Sequence, residues 1–458
     1  MWRRQGLFPA ACSLPLLLAA LLIATRGASA LSSAGDGAAL HRAAAAVRAG
    51  GGDARAAAAF ATLVADLLRG LTNRTDAAAG AAAATLRRPA SLTTDKSSWQ
   101  VLGGAMTRSA VAELAVAHTA TSSYAAFAGV AGAPGGVLRL IGSRWVGLLE
   151  LPAHISRVAL VVSSAGYPCI AFVVARKQGG EALAARCPGL GLDGEVPLAP
   201  AASAAHTTID AVALALDAHH RPVIAATYTA VGVRAAAVRA YSPASRSWAA
   251  VGQPLPAWGA DLALAVAPDG AALVALADSR HGGALSLLRC DSLAASGWEE
   301  LGSGVSVGAA LAIRLALRPG GAGGDVLAAW MDDAEGLGAA EYGAASGTWR
   351  QLGAAPSVAA DWVPLEGGLA LGLGPEGAPL VAVARYTPDL AGCLVSLLQH
   401  NGSSWALAGG DAAAHSGVLP LARVAGVPAL TLDAGGAPVL SLVHGAGAAA
   451  VHRWQPQR

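Results

Sequence analysis

Trp248-Ala-Ala-Val-Gly252, Trp298-Glu-Glu-Leu-Gly302 and Trp349-Arg-Gln-Leu-Gly353 are three copies of one short phrase, Trp-x-x-(Leu/Val)-Gly. A fourth clean copy stands at Trp99-Gln-Val-Leu-Gly103, a worn one at Trp405-Ala-Leu-Ala-Gly409, and a poorer one starts at Trp145. From Trp248 onward the copies are spaced 50, 51 and 56 residues apart. Self-similarity at that period means an array of small units, each unable to bury its apolar face alone. Six of the 11 Trp residues fall in the phrase, which places the largest apolar side chains where neighbouring units meet.

Between the copies the grammar repeats. After the phrase comes a loop with Pro, Ser or Gly. An alternating strand follows, such as Asp210-Ala-Val-Ala-Leu-Ala-Leu216, then a turn such as Ala165-Gly166-Tyr167-Pro168 or Asp433-Ala-Gly-Gly-Ala-Pro438. A second strand (Pro222-Val-Ile-Ala-Ala226) and a third (Ala236-Ala-Val-Arg-Ala-Tyr241) lead to the next Trp. Gly and Pro supply the turn angles and stop the strands. Four short strands per roughly 50 residues is the size of one propeller blade. Counting Trp99, Trp145, a degenerate slot near Leu190-Gly191, Trp248, Trp298, Trp349 and Trp405 predicts an all-β, seven-bladed β-propeller over residues 96–458. The last repeat ends at Trp454 without an outer strand, while Trp99 has a strand and no repeat before it. The Trp99 strand is therefore expected to complete the last blade and close the ring, removing two exposed sheet edges.

Tyr241-Ser-Pro-Ala-Ser-Arg-Ser-Trp248 and Tyr342-Gly-Ala-Ala-Ser-Gly-Thr-Trp349 carry a Tyr-x6-Trp spacing, and in this the chain resembles kelch-like and related secreted propeller repeats. It departs from kelch at the Gly-Gly pair closing the second strand, where Ala225-Ala226 and Val383-Ala384 stand instead. The resemblance implies the blade architecture and nothing about ligands. The Trp-x-x-Leu-Gly rhythm is also similar to that of sugar-binding propeller lectins.

Residues 1–30 read as a signal peptide: Arg3 and Arg4, an apolar run from Leu14 to Ala24, and a small-x-small site at Ala28-Ser29-Ala30. The only two Asn residues, Asn73 and Asn401, both lie in glycosylation sequons, Asn73-Arg-Thr75 and Asn401-Gly-Ser403. These features place the protein in the secretory pathway, extracellular or lumenal. Residues 31–95 form an Ala-rich segment with one amphipathic helix, capped by Asp53, striped by Phe60, Leu63, Val64, Leu67 and Leu68, and ended by Gly70. The alternative for this segment is the second half of a bipartite plastid leader, against which Asp36, Asp53, Asp66 and Asp76 argue. No membrane span is expected after signal removal.

The net charge of +2 offers no field for nucleic acid. Cys169 and Cys187 flank a hairpin centred on Gln178, so antiparallel pairing sets them opposite each other as a disulfide or as two buried thiols. No catalytic residue, metal site or cofactor is indicated: nucleophile elbow, phosphate loop and zinc spacing are all missing, and His219-His220 falls in a turn. One face gathers candidate ligand residues on loops: Trp258 and Asp261, Asp278 and Arg280, Trp330 with Asp332 and Asp333, Asp361 and Trp362, Arg385 and Tyr386. Aromatics beside carboxylates and Arg are the makings of a ligand face. The competing role for these indoles is to seal gaps between blades. The reading is a monomeric, non-enzymatic scaffold that binds a protein. The alternatives are a glycan-binding propeller and a propeller hydrolase such as a glycosidase.

Overall fold

The computed structural model describes residues 99–454 with interruptions, chiefly 199–206, 354–362, 408–417 and 422–428. The chain divides into two units, residues 1–95 with 388–390, and residues 96–387 with 391–458. Every described residue belongs to the second. The signal peptide, the amphipathic helix and Asn73 lie outside the described residues.

The second unit is an all-β propeller of antiparallel, sequentially wound sheets. Strand β1 (Trp99–Val101) precedes the first blade, which is β2 (Val111–His118), β3 (Ser123–Gly129), β4 (Gly136–Ile141) and β5 (Arg144–Glu150). The next blade is β6 (Ile155–Val162), β7 (Pro168–Ala175), β8 (Glu181–Cys187) and β9 (Leu192–Val196). Then come β10 (Thr207–Leu216), β11 (Pro222–Ala230), β12 (Val233–Ser242), β13 (Ser247–Val266), β14 (Ala272–Asp278), β15 (Leu285–Cys290) and β16 (Glu299–Gly302), all in one sheet. A further blade is β17 (Ala310–Leu317), β18 (Val326–Asp332), β19 (Leu337–Gly343) and β20 (Thr348–Gln351). Another is β21 (Val363–Leu373), β22 (Pro379–Tyr386), β23 (Cys393–His400) and β24 (Trp405–Leu407), with β25 (Val418–Leu421) also paired to β23. The last is β26 (Ala429–Leu432), β27 (Pro438–Val443) and β28 (Ala449–Trp454), joined by β1.

The expected count of seven separate blades is corrected. The strands fall into six sheets: five are blade-sized, four with four strands and one with five, and the sixth has seven strands. The cause is β13. Its first half pairs with β12 as far as Ala235↔Pro256, and its second half pairs with β14 from Ala257↔Asp278. Gln253 to Gly259, read from the sequence as a loop, is extended backbone carrying one ladder into the next. The helix expected ahead of the propeller lies outside the described residues; among the described residues the helical elements are short 3-10 turns.

The Trp99 strand pairs with the final strand, with Trp99 opposite Trp454, and the Leu102 N–H donates to the Val451 carbonyl at 2.7 Å. Apolar side chains cement the same seam. Val111, Leu114 and Phe127 of the first blade share one buried cluster with Val439, Val443 and Val451.

The repeated phrase is a contact between neighbours. A Cβ on Gly252 would lie 2.1 Å from Trp298 Nε1, one on Gly302 2.1 Å from Trp349 Nε1, and one on Gly103 2.7 Å from Trp145 Nε1. These three motif glycines are thus the seats of the next motif's indole, whereas a Cβ on Gly353 would meet only the Ser403 carbonyl, at 4.0 Å. Two of those indoles also donate to the chain beneath, Trp145 to the Leu102 carbonyl at 3.2 Å and Trp298 to the Gln253 carbonyl at 3.0 Å. The Tyr-x6-Trp spacing has an equally local cause. Tyr241 and Tyr342 sit opposite Trp248 and Trp349 across outer hairpins, with ring centroids 5.3 and 5.6 Å apart.

Cys169 and Cys187 form a disulfide between β7 and β8, with their Cα atoms 4.3 Å apart. Closing a loop of 18 residues constrains the unfolded chain by about 3 kcal/mol. Cys290 is a buried thiol in β15, and burial raises its pKa.

Candidate functional site

Several inner strands start with an irregular register, as at Val111/Glu113, Ile155/Val158, Ala257/Leu262 and Ala310/Ala312. Such bulges leave backbone N–H groups off the ladder, and a buried N–H needs an acceptor. The acceptor comes from the preceding repeat. Glu113 of β2 takes the Val158 N–H at 3.3 Å, Glu181 of β8 takes that of Ile209 at 2.6 Å, and Asp261 of β13 takes that of Ile313 at 3.0 Å. Arginines flank these latches. Arg157 reaches Glu113 at 3.5 Å and the Asp210 carbonyl at 2.8 Å, and Arg314 reaches Asp261 at 2.7 Å. Asp210 in turn holds Arg234 at 3.1 Å. Burial raises the pKa of Glu113 above the usual carboxylate range, and the charge of Asp261 adds to the rise, against the pull of Arg157.

Of this set only Asp261 is among the ligand-face candidates of the sequence. Glu113, Glu181, Arg157, Asp210 and Arg314 went unmarked. Four of them share a signal, a charged residue near the start of an inner strand otherwise built of Ala, Leu and Val.

The ligand-face candidates separate into three groups. Trp258, Asp278 and Arg280 come together around the turn that follows β14. The Asp278 side chain is fully buried, accepts the Arg280 backbone N–H at 2.8 Å and pairs with the Arg280 guanidinium at 2.6 Å. Burial alone would raise the Asp278 carboxyl, but the hydrogen bonds and charge of Arg280 outweigh it and hold it below the usual range. Arg280 also reaches Glu300 at 3.2 Å, and Glu300 meets His281 Nε2 at 3.4 Å. Asp278, His281 and Glu300 have the donor types for a metal ion, yet Arg280 already occupies the position between the two carboxylates. Trp258 lies against Gly283, where a Cβ would stand 2.7 Å from its Cδ1, and its carbonyl accepts from Arg234 at 2.7 Å. Its side chain is nevertheless open, with 55% of its surface exposed.

Trp330 and Asp332 form the second group, and both are buried. The indole N–H donates to Asp332 Oδ2 at 3.3 Å, and the ring fills the space over Gly338, where a Cβ would lie 2.4 Å from Cε2. Asp332 Oδ1 accepts the Gly336 N–H at 3.1 Å, closing the turn. Asp333, Asp361 and Trp362 lie outside the described residues. Arg385 and Tyr386 are placed only as backbone at the end of β22, opposite Pro364 and Val363.

The His219-His220 turn is closed by Asp217, whose Oδ1 accepts the N–H groups of His219 and Arg221 at 2.9 and 2.8 Å. Asn401 stands in the exposed turn between β23 and β24, its Oδ1 accepting the backbone N–H groups of Ser403 and Ser404 at 3.1 and 2.9 Å. Among the described residues no helix is long and apolar enough to cross a membrane.

No family model and no curated protein matches the sequence. Among solved structures, the β-propeller domain of Cps50 (Swd1) from Myceliophteria thermophila aligns at 12% identity and a TM-score of 0.49, over 78% of this chain and all 100% of that one. The Aleuria aurantia lectin AAL in complex with Fucalpha1-6GlcNAc aligns at 16% identity and a TM-score of 0.40, over 65% of this chain and 94% of that one. The SapL1 lectin in complex with alpha methyl fucoside aligns at 14% identity and a TM-score of 0.41, over 66% of this chain and 96% of that one.

Proposed function

We propose that this protein is a non-enzymatic β-propeller that binds a partner protein through the surface around Trp258. The observation that carries the reading is an indole with 55% of its surface open on a seat that cannot yield. Gly283 supports its ring, and Arg234 holds its backbone. An exposed aromatic packed on the turn that carries Arg280 and His281, both paired to Glu300, has the composition of an interface anchor with a polar rim. The inner carboxylates Glu113 and Asp261 are each committed to a backbone N–H and an arginine, which supports an architectural use over acid–base chemistry. Because its side chain stands in solvent, Trp258→Ala should leave the unfolding midpoint unchanged and weaken partner capture roughly 30-fold. The check is quantitative affinity capture from the protein's native fluid with both forms. Equal capture by the two would sink the reading. A glycan-array signal lost in Trp258→Ala would replace the protein partner with a sugar.

We also propose that the chain enters the secretory pathway and carries a glycan on Asn401. The disulfide between β7 and β8 and the exposed Asn401-Gly-Ser403 turn support this. In a secreting eukaryotic host, endoglycosidase should lower the mass of the wild-type protein. Asn401→Gln should remove one glycan unit from that loss. A native protein insensitive to the enzyme would overturn the assignment.

A further inference from the structure

Between β8 and β9 of one blade and β10 of the next sheet lies a cleft of about 350 Å3. Its apolar side is made by Leu183, Val196, Leu198 and Ile209, all buried. Three charged side chains also line it, Arg176, Glu195 and Glu181, beside Ala182, Pro197 and Thr207. Arg176 and Glu195 pair with each other at the rim, and Glu195 is 56% exposed. That pair is neutral as a unit. Glu181 has no cationic partner among the described residues. One of its oxygens accepts the Ile209 N–H at 2.6 Å, and the other makes no hydrogen bond among the described residues. The cleft therefore holds one net negative charge above an aliphatic floor. Lys177 is exposed in the adjoining turn and does not line it.

The walls are held rigidly. The Cys169–Cys187 disulfide ties β8 to β7. Arg239 of β12 donates to the carbonyls of Pro197 and Leu198 at 2.6 and 3.1 Å, fixing the backbone that leaves β9. A site set on strands and clamped in this way needs little ordering when it is filled.

We propose that this cleft receives an aliphatic primary ammonium, the side chain of a lysine on a partner protein. The four-carbon stem lies along Leu183, Leu198 and Ile209, and the ammonium meets the open oxygen of Glu181. Long cationic side chains bury their methylenes on apolar surface and keep the charge at a polar edge, and the uncompensated carboxylate sets the sign. The inference rests on the protein-binding reading only for the owner of the lysine. The chemical preference of the cleft is separate from Trp258.

The test is titration of the 15N-labelled protein with Nα-acetyl-lysine methylamide. The Glu181 and Ile209 amide resonances should shift in a saturable way with a dissociation constant on the order of 1 mM. Nα-acetyl-norleucine methylamide, which keeps the stem and lacks the charge, should bind at least tenfold more weakly. Glu181→Gln keeps an acceptor for the Ile209 N–H and should lose the lysine probe by the same factor. Raising the salt from 50 to 500 mM should weaken the lysine probe and spare norleucine. Equal binding of the two probes to the wild-type protein overturns the proposal, even if Glu181→Gln fails to fold. Unchanged binding to a folded Glu181→Gln does so as well, as does preferential shifting of the same resonances by methyl galactoside.

Discussion

Gly252→Ala should cost the propeller about 3 kcal/mol, a large effect for one methyl group. Two terms add. Gly252 has φ +63, a left-handed conformation that strains any residue with a Cβ by about 1 kcal/mol or more. The new methyl would also stand 2.1 Å from Trp298 Nε1, and overpacking of a seated ring adds about 1–3 kcal/mol. Gly304→Ala separates the terms, because Gly304 has φ +62 and open space around its Cβ position. It should show the backbone strain alone. Trp298→Ala should cost about 2–3 kcal/mol on its own, since the ring is partly buried and its N–H bond to Gln253 is lost. The double variant should be more stable than the two losses predict by about 1–2 kcal/mol, because removing the indole makes room for the methyl. Urea unfolding of the four variants and the wild-type protein decides. Strict additivity, or equal losses in Gly252→Ala and Gly304→Ala, would mean that the motif glycine is not the seat of the next indole.

That contact explains why the fold was legible. A Trp on one repeat and a Gly on the one before must be kept together, so the pair surfaces in the sequence as a rhythm. The hairpin carrying Cys169 and Cys187 was legible for a related reason, since local antiparallel pairing fixes which residues oppose each other. The pairing of the Trp99 strand followed from counting strands with no partner.

What escaped the reading depends on register. Nothing in Gln253-Pro-Leu-Pro-Ala-Trp-Gly259 announces that this stretch stays extended. Its Pro residues suggest a loop, but the ladder changes partner there, and the blade count failed at that point. Trp330 was grouped with Trp258 because both lie outside the motif and near carboxylates. Their fates differ through what faces them. Gly338 lies opposite Trp330 in the neighbouring strand and opens a slot for its ring, whereas Trp258 rests on a turn glycine with its other face bare. The latches at Glu113, Glu181 and Asp261 join residues 28 to 52 positions apart, so a single carboxylate in an inner strand looks incidental until the bulge in the next repeat is placed beside it.

Acid should weaken the seam between the first and last blades before Asp269 and Asp278 titrate. His118 ends β2, with Nδ1 2.7 Å from Ser123 Oγ and Nε2 buried without a partner. Burial lowers its pKa to about 4, although the charge of Asp433 in the last blade pulls the other way. Arg453 pairs with Asp433 and blunts that pull. In the unfolded chain the same imidazole titrates near ~6.5. As the pH falls through that value the unfolded chain takes up a proton that the folded chain refuses. Stability is then lost down to about pH 4, by up to about 3 kcal/mol, and the loss levels off below it. Glu113, whose pKa is raised, works in the opposite sense, because its folded form holds a proton more readily than the unfolded one. Asp269 and Asp278, with lowered pKa values, give up their contribution only below their ordinary value of 3.8. Among the described residues the window between pH 6.5 and 4 therefore belongs chiefly to His118, with Glu113 offsetting part of it. Urea unfolding at pH 7.0 and 4.5 should show a loss of about 2–3 kcal/mol in the wild-type protein, a much smaller one in His118→Asn, and a larger one in Glu113→Gln. A pH dependence unchanged in His118→Asn would show that the imidazole is solvated and that the seam is not where acid acts.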